Sequence, residues 1–290
     1  MLSRYDDMEI IFIDDGSTNP ETIRIIKDIL LNNKEIVYKH YETGSGSASR
    51  PRNEGVHLAT TDLITYLDPD NETIDDGHSI LLNEMINDDT LDMVVGDIVR
   101  EDNNKRNAIR YSNKIKKAMK TDIIENTKET LIKTNLTVQS IQGLIVKKDI
   151  ITENNILMVE GAAGQDTLYF QELLLCCGKV KVMDCMVHSY YAYVEGSVTN
   201  TVSSRFFGKF YKVEQERIKF LIREELIEYY MDIKFDFYFK NWYLKKYSQV
   251  TEYEKKESLE YLRKILDLYK DYHELIDDEV FMFISKEESI

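Results

Sequence analysis

Residues 62–77 read DLITYLDPDNETIDDG, and the fold turns on how this stretch is read. Leu63, Ile64, Thr65, Tyr66 and Leu67 are apolar or β-favouring and predict a buried strand. Asp68, Asp70, Glu72, Asp75 and Asp76 follow almost at once, and charges of one sign this close repel. Asp68-Pro69-Asp70 spaces two carboxylates so that a turn can bring both to one cation, or one to a cation and the other to a hydroxyl. Oxygen ligands that leave positions open for water or phosphate suit Mg²⁺ or Mn²⁺. Such an ion offsets the repulsion and adds positive charge for an anionic ligand. An acidic surface loop with Asx turns is the plainer alternative, and the triplet alone does not decide between them. Glu72, Asp75 and Asp76 suit the polar first turn of a following helix, where the helix dipole favours them.

Working outward, "EIIFI" (9–13) is a short apolar run ending in Asp14-Asp15-Gly16-Ser17, a strand and a tight turn. A helix follows, capped by Thr18 with Glu21 or by Asn19 with Pro20, with Ile23, Ile26, Ile29 and Leu30 as its buried stripe. "EIVYKHY" (35–41) is a second strand. "TGSGSASRPRNEG" (43–55) is a glycine- and serine-rich loop that enters a helix near residues 53–59. A helix over 79–86 and the strand "DMVVGDIV" come after the opening stretch. Alternating strands and helices predict an α/β fold with a mostly parallel central sheet. Ligands of such sheets sit beyond the carboxyl ends of the strands, where both Asp14-Asp15 and Asp68–Asp70 fall.

From 103 to 141 the chain is polar and reads as a helix or a flexible excursion. "GLIVKKDIITENN" returns to a strand-like run, "GQDTLYFQELLLCC" is a helix with Asp166 near its start, and "KVKVMDCMVHSYYAYVEGSVTN" is one or two strands ending in a turn. Beyond Ser203 the pattern becomes helical, with long amphipathic stretches over 214–230 and 254–276. Two domains are expected, 1–203 and 204–290. Phe, Tyr and Trp242 crowd "RFFGKFYKV" and "FDFYFKNWYLKKY"; at helical spacing they favour core or subunit contact over sugar stacking.

The 290 residues carry 37 basic and 52 acidic side chains, a net charge of −15. That balance argues against a nucleic-acid partner, which needs a basic face. Cys176, Cys177 and Cys185 form no zinc or disulfide pattern and point to a reducing compartment. No run approaches the roughly 20 apolar residues of a membrane span, and "MLSRYDDMEI" lacks the apolar core of a signal peptide. A cytoplasmic location is expected, with peripheral contact at the inner face of the membrane left open. Arg50 and Arg52 follow the glycine-rich loop, and guanidinium forks suit phosphate oxygens, although pairing with surface acids is an equal alternative.

"DDGST", "SRPRNEG", "LDPDN" and "GQDTLYF" occur in unbroken order between residues 9 and 200. Together they resemble the family 2 glycosyltransferases of A-type fold, and more loosely the bacterial enzymes that decorate teichoic acids, capsules or surface glycoproteins. The resemblance implies a metal-dependent, inverting transfer from a nucleotide sugar, of UDP type, to a hydroxyl of a glycan, teichoic acid or glycoprotein acceptor. It implies that Asp15 accepts from the uracil ring with Asp14 supporting the turn, and that Arg52 faces the nucleotide or its phosphates. By the same resemblance Asp68 holds the ribose or sugar, Asp70 binds Mn²⁺ or Mg²⁺, and Asp166 is the general base. His188 matches a late histidine that reaches the metal or the diphosphate; a satisfied strand histidine is its alternative. Three positions depart from the pattern. Gln165 stands where the family has glutamate, Asn71 replaces an acid, and a first strand and most of a helix are expected before "EIIFIDDGS". An exposed sheet edge, or a strand borrowed from elsewhere, is the expected consequence. The rival reading is an inactive or partner-dependent remnant acting as a binding subunit. Self-association through the C-terminal helices is a further expectation.

Overall fold

Asn19 settles the first helix start. Its side chain accepts from the backbone N–H groups of Glu21 (2.8 Å) and Thr22 (3.3 Å), and Pro20 occupies the first helical position. This is the second of the two caps the sequence offered. The computed structural model describes residues 8–102, 105–192 and 202–286. One sequence expectation, the turn after the late strand, falls partly outside these residues.

Strand β1 (Ile11–Asp14) leads to α1 (Pro20–Asn32), β2 (Val37–His40), α2 (Ser49–Leu58) and β3 (Leu63–Ile64). Then come β4 (Glu72–Thr73), α3 (Gly77–Asn87), the long β5 (Met93–Asp102) and β6 (Lys105–Ile109). Helix α4 (Tyr111–Met119), β7 (Ile123–Ile124) and α5 (Thr127–Lys133) fill what the sequence left as a helix or excursion. A 3-10 turn (Ile141–Gly143) enters β8 (Leu144–Lys147), followed by α6 (Lys148–Glu153), α7 (Gln165–Cys176) and a single strand β9 (Val180–Tyr191).

The α/β layering is as expected, but the sheet is mixed rather than mostly parallel. Among the described residues only β1–β2 and β5–β9 pair in parallel; β8 runs antiparallel between β3 and β5, and β4, β6 and β7 are short antiparallel additions. The polar segment that looked like an excursion supplies the antiparallel pieces β6 and β7. β1 and β2 form a sheet of their own beside the seven-stranded one. Glu9, just before β1, ties to Thr60, just before β3, through the Thr60 N–H (2.8 Å) and hydroxyl (3.2 Å).

Helix α1 buries only Ile26; Ile23, Ile29 and Leu30 stay partly open, so its apolar stripe is incompletely covered. The core lies elsewhere. Met93, Val95, Leu144, Val146, Val180 and Val182 from β5, β8 and β9 are almost wholly buried against Phe170, Leu173 and Leu174 of α7. Full burial of such a side chain contributes about 1.5–3 kcal/mol.

The same apolar cluster continues into the C-terminal helices. These are α8 (Ser204–Arg223), α9 (Ile227–Tyr230), α10 (Asp236–Tyr238), α11 (Lys245–Tyr247), α12 (Glu252–Leu268) and α13 (Asp278–Lys286), with π-type turns on either side of α10. Phe206, Phe207, Phe210, Phe235, Phe239 and Tyr243 are buried here, so the aromatic density fills a core. Buried Glu214 accepts from the hydroxyls of Tyr243 (2.8 Å) and Tyr269 (2.6 Å) and lies 3.6 Å from Arg217. No described helix is long and apolar enough to cross a membrane.

Candidate active site

The site is built at the ends of β1 and β3. Asp14, the last residue of β1, is buried and accepts from the Ser17 N–H (2.8 Å), the Tyr38 hydroxyl (3.2 Å) and His40 Nδ1 (3.1 Å). Burial pushes its carboxyl up, but these hydrogen bonds outweigh that and hold it below the usual value. Asp14 therefore stabilises the turn. Gly16 makes the turn possible: its φ is +84°, and a Cβ there would lie 2.4 Å from Gly44 N.

Asp15 reaches across to the glycine-rich loop. It accepts from Ser45 N–H (2.9 Å), Ser45 Oγ (2.7 Å) and Arg50 Nε (2.7 Å). The Arg50 guanidinium lies on the Tyr41 ring, 4.1 Å from its centroid. Both arginines belong to the first turn of α2, not to a loop, because Pro51 is tolerated in a first turn.

Arg52 is the centre of the constellation. Its side chain is 9% exposed, and it donates to both oxygens of Asp68 (2.8 and 2.7 Å) and to Asp166 Oδ1 (2.6 Å). Burial alone would lower its pKa; the charges of Asp166 and Asp68 outweigh this and raise it, so it stays protonated. Asp166 sits in the first turn of α7 and its side chain is 48% exposed. Only Oδ1 is engaged by Arg52. Beneath lie Tyr66 and Tyr169, buried, with their hydroxyls 2.6 Å apart; burial pushes Tyr66 up to about 12.

Gln142, in the 3-10 turn before β8, is a site residue the sequence did not reveal. It is buried and accepts from Asp68 N–H (2.9 Å) and Asn71 Nδ2 (3.0 Å), and its own amide donates to Asp68 Oδ2 (3.0 Å). Asn71 in turn accepts from the Tyr191 N–H (3.1 Å). The loop after β3 is thus held by a residue more than seventy positions away. No short-range signal marks Gln142, since its partners are set by the β3–β8 pairing.

Asp70 is exposed, and partial desolvation together with the charge of Asp68 raises its pKa. Both Asp68 oxygens accept from Arg52, and one also from Gln142, so Asp70 keeps more acceptor capacity than Asp68. Among the described residues no group of three or more His, Cys, Asp or Glu could hold a metal ion. The described residues therefore build no closed protein cage, whereas Mg²⁺ or Mn²⁺ held by one carboxylate, with water and phosphate completing its sphere, would fit these donors. His188 is fully buried in β9 opposite Thr73, with Nε2 3.1 Å from Ser140 Oγ. Burial lowers its pKa to about 4, so it is neutral.

Two carboxylates are thus bridged by one buried arginine at the rim of an α/β sheet, beside a strand-ending acid pair. The sequence profile of glycosyl transferase family 2 matches residues 1–149, half of the chain. The chain belongs to glycosyl transferase family 2. An uncharacterized glycosyltransferase of Haemophilus influenzae is 38% identical over 82 residues, 28% of this chain and 32% of that protein. The chain thus matches about a third of that relative's length. Among solved structures, S. aureus TarS (residues 1–349, in complex with UDP-GlcNAc) is similar with a TM-score of 0.65 at 17% identity, covering 94% of this chain and 73% of that one. GalNAc-T7, solved with UDP, GalNAc and Mn²⁺, is similar with a TM-score of 0.50 at 15% identity, over 79% of this chain and 51% of that one. At these identities the structural likeness concerns the fold, and it is the A-type fold expected from the motifs.

Proposed function

We propose that this family member transfers a sugar from a UDP-sugar to an acceptor hydroxyl with inversion at the anomeric carbon, Asp166 serving as general base. The observation that carries the reading is Arg52: one buried guanidinium ties the Asp68 carboxylate to Asp166, uniting a sugar-holding acid with a base.

Asp15 accepts from the uracil N–H, and its present partners, Ser45 and Arg50, hold its carboxylate in place. UDP bound to the TarS and GalNAc-T7 structures supports that donor class. Asp68, fixed by Arg52 and Gln142, orients the ribose or the donor sugar. Asp166 takes the acceptor proton while that oxygen attacks the anomeric carbon, the bond to UDP breaks, and the electron pair leaves on the diphosphate. What Asp166 must supply is position, since a displaced base loses the near-attack geometry. Its Oδ1 contact with Arg52 fixes the carboxylate plane and leaves Oδ2 for the proton. Asp70 would hold Mn²⁺ or Mg²⁺, which supplies positive charge toward the departing diphosphate when bound.

In this reading the described C-terminal helices, over 204–286, border the acceptor side. Screening UDP-, GDP-, CDP- and dTDP-sugars for donor hydrolysis tests the proposal. Release of UDP from at least one UDP-sugar, lost in Asp166→Asn, is expected. No hydrolysis of any donor would favour a binding subunit instead.

A further inference from the structure

The chain is strongly acidic, yet one face of α8 carries three cations. Arg205, Lys209 and Lys212 stand at i, i+4 and i+7, the spacing of a single helix face. None of them forms an ion pair among the described residues. Arg205 and Lys212 are exposed, and Lys209 is half-buried. Glu160, next to the loop they cover, is exposed and pairs with none of them.

This face lies over two loops of the site. Lys209 Nζ donates to the Gly46 carbonyl (2.5 Å), and the Lys209 carbonyl accepts from the Ala163 N–H (3.3 Å). Lys212 Nζ stands over Gly161, where a Cβ would lie only 2.8 Å from it; Gly161 has φ +68°, so glycine keeps that space free. The Gly161 N–H donates to Ser47 Oγ (3.0 Å), joining the two loops. Between the lysines, the Phe210 ring packs against Gly164, which immediately precedes the helix bearing Asp166. Burial, with the charges of Lys212 and Arg205 close by, holds the Lys209 pKa below its ordinary value. An anion seated among the three would relieve that repulsion.

We propose that the Arg205–Lys209–Lys212 face of α8 binds the acceptor, and that the acceptor is a polyanion carrying repeated phosphate or carboxylate groups. The inference rests on Asp166 being the base, because the acceptor hydroxyl must reach it and this face borders its helix. Arg205 and Lys212 are about 10 Å apart along the axis at 1.5 Å per residue. That span suits a chain of negative groups better than one phosphate.

The test uses fluorescently labelled inorganic polyphosphate, read by anisotropy, on the whole chain and on an Arg205→Ala/Lys212→Ala variant. Both positions are exposed, so the fold should tolerate the change. The wild type is expected to bind, with affinity falling as salt rises, and the variant to bind about tenfold more weakly. UDP affinity, titrated separately by calorimetry, should stay the same in both. The inference is overturned if the wild type ignores polyphosphate, if the variant binds it equally well, or if UDP affinity drops in parallel. Binding to phosphatidylglycerol vesicles without binding to polyphosphate also overturns it, in favour of a membrane surface. A wild type that binds polyphosphate but no UDP would remove the donor reading instead.

Discussion

Arg52 and Asp166, 114 positions apart in sequence, meet in a 2.6 Å ion pair whose guanidinium also grips both oxygens of Asp68. One buried side chain therefore sets the distance between the acid that would hold the donor and the acid that would take the proton. Asp166→Asn keeps an acceptor for Arg52 but cannot receive a proton. Turnover should fall by about 10²–10⁴-fold, while calorimetric UDP affinity stays within a factor of about two. Wild-type turnover in this variant would remove Asp166 from the role of base.

Arg52→Ala leaves Asp68 facing Asp166 without the cation between them. Stripping one partner from a buried ion network costs about 3–5 kcal/mol. The lower end is expected here, because Asp166 is half in water. Urea unfolding measures the loss. Arg52→Lys should recover only part of it, since an ammonium cannot present the fork that spans two carboxylates.

Gln142 gives a prediction of a different kind. Gln142→Ala removes the clamp on the Asp68 N–H, the Asp68 carboxylate and Asn71. Leaving these buried groups unpaired costs about 1–3 kcal/mol. Gln142→Glu should be worse for the donor, because it sets a second carboxylate against Asp68. The comparison of UDP-sugar KM across the two variants checks this; an equal KM in both would mean that the clamp does not position the loop.

Acid should loosen the fold through its two buried histidines. Burial lowers the pKa of both His188, to about 4, and His78. Between that value and the ordinary 6.5 the unfolded chain binds more protons than the native one. The contribution is thus complete above pH 6.5 and is lost as pH falls toward 4, amounting to roughly 3 kcal/mol for His188. Unfolding free energies at pH 7 and pH 5 should differ by about 2 kcal/mol more in the wild type than in His188→Gln. An unchanged slope in the variant would show that His188 does not titrate in this way.

The parts of the candidate site written in neighbouring residues are legible in the sequence. Asp14-Asp15 and Asp68-Pro69-Asp70 announced themselves because an apolar strand ends in acids, and a strand end is a local event. Asn19 with Pro20 was legible for the same reason. What escaped was set by distant pairing. Gln142 gains its meaning only when β8 lies beside β3. Arg50 and Arg52 looked like loop residues because glycine and serine precede them, yet the helix starts at Ser49 and carries both toward different acids. The mixed sheet was hidden because β6 and β7 are too polar or too short to show a strand period. The incomplete cover of α1 was invisible too, since its apolar spacing says which residues could be buried and not whether a partner lies against them.

Isothermal titration of UDP with and without Mn²⁺ reads whether the rim around Arg52 receives a nucleotide sugar. Binding that strengthens with Mn²⁺ in the wild type, and loses that strengthening in Asp70→Ala, is the predicted result. Absence of UDP binding under both conditions would contradict it.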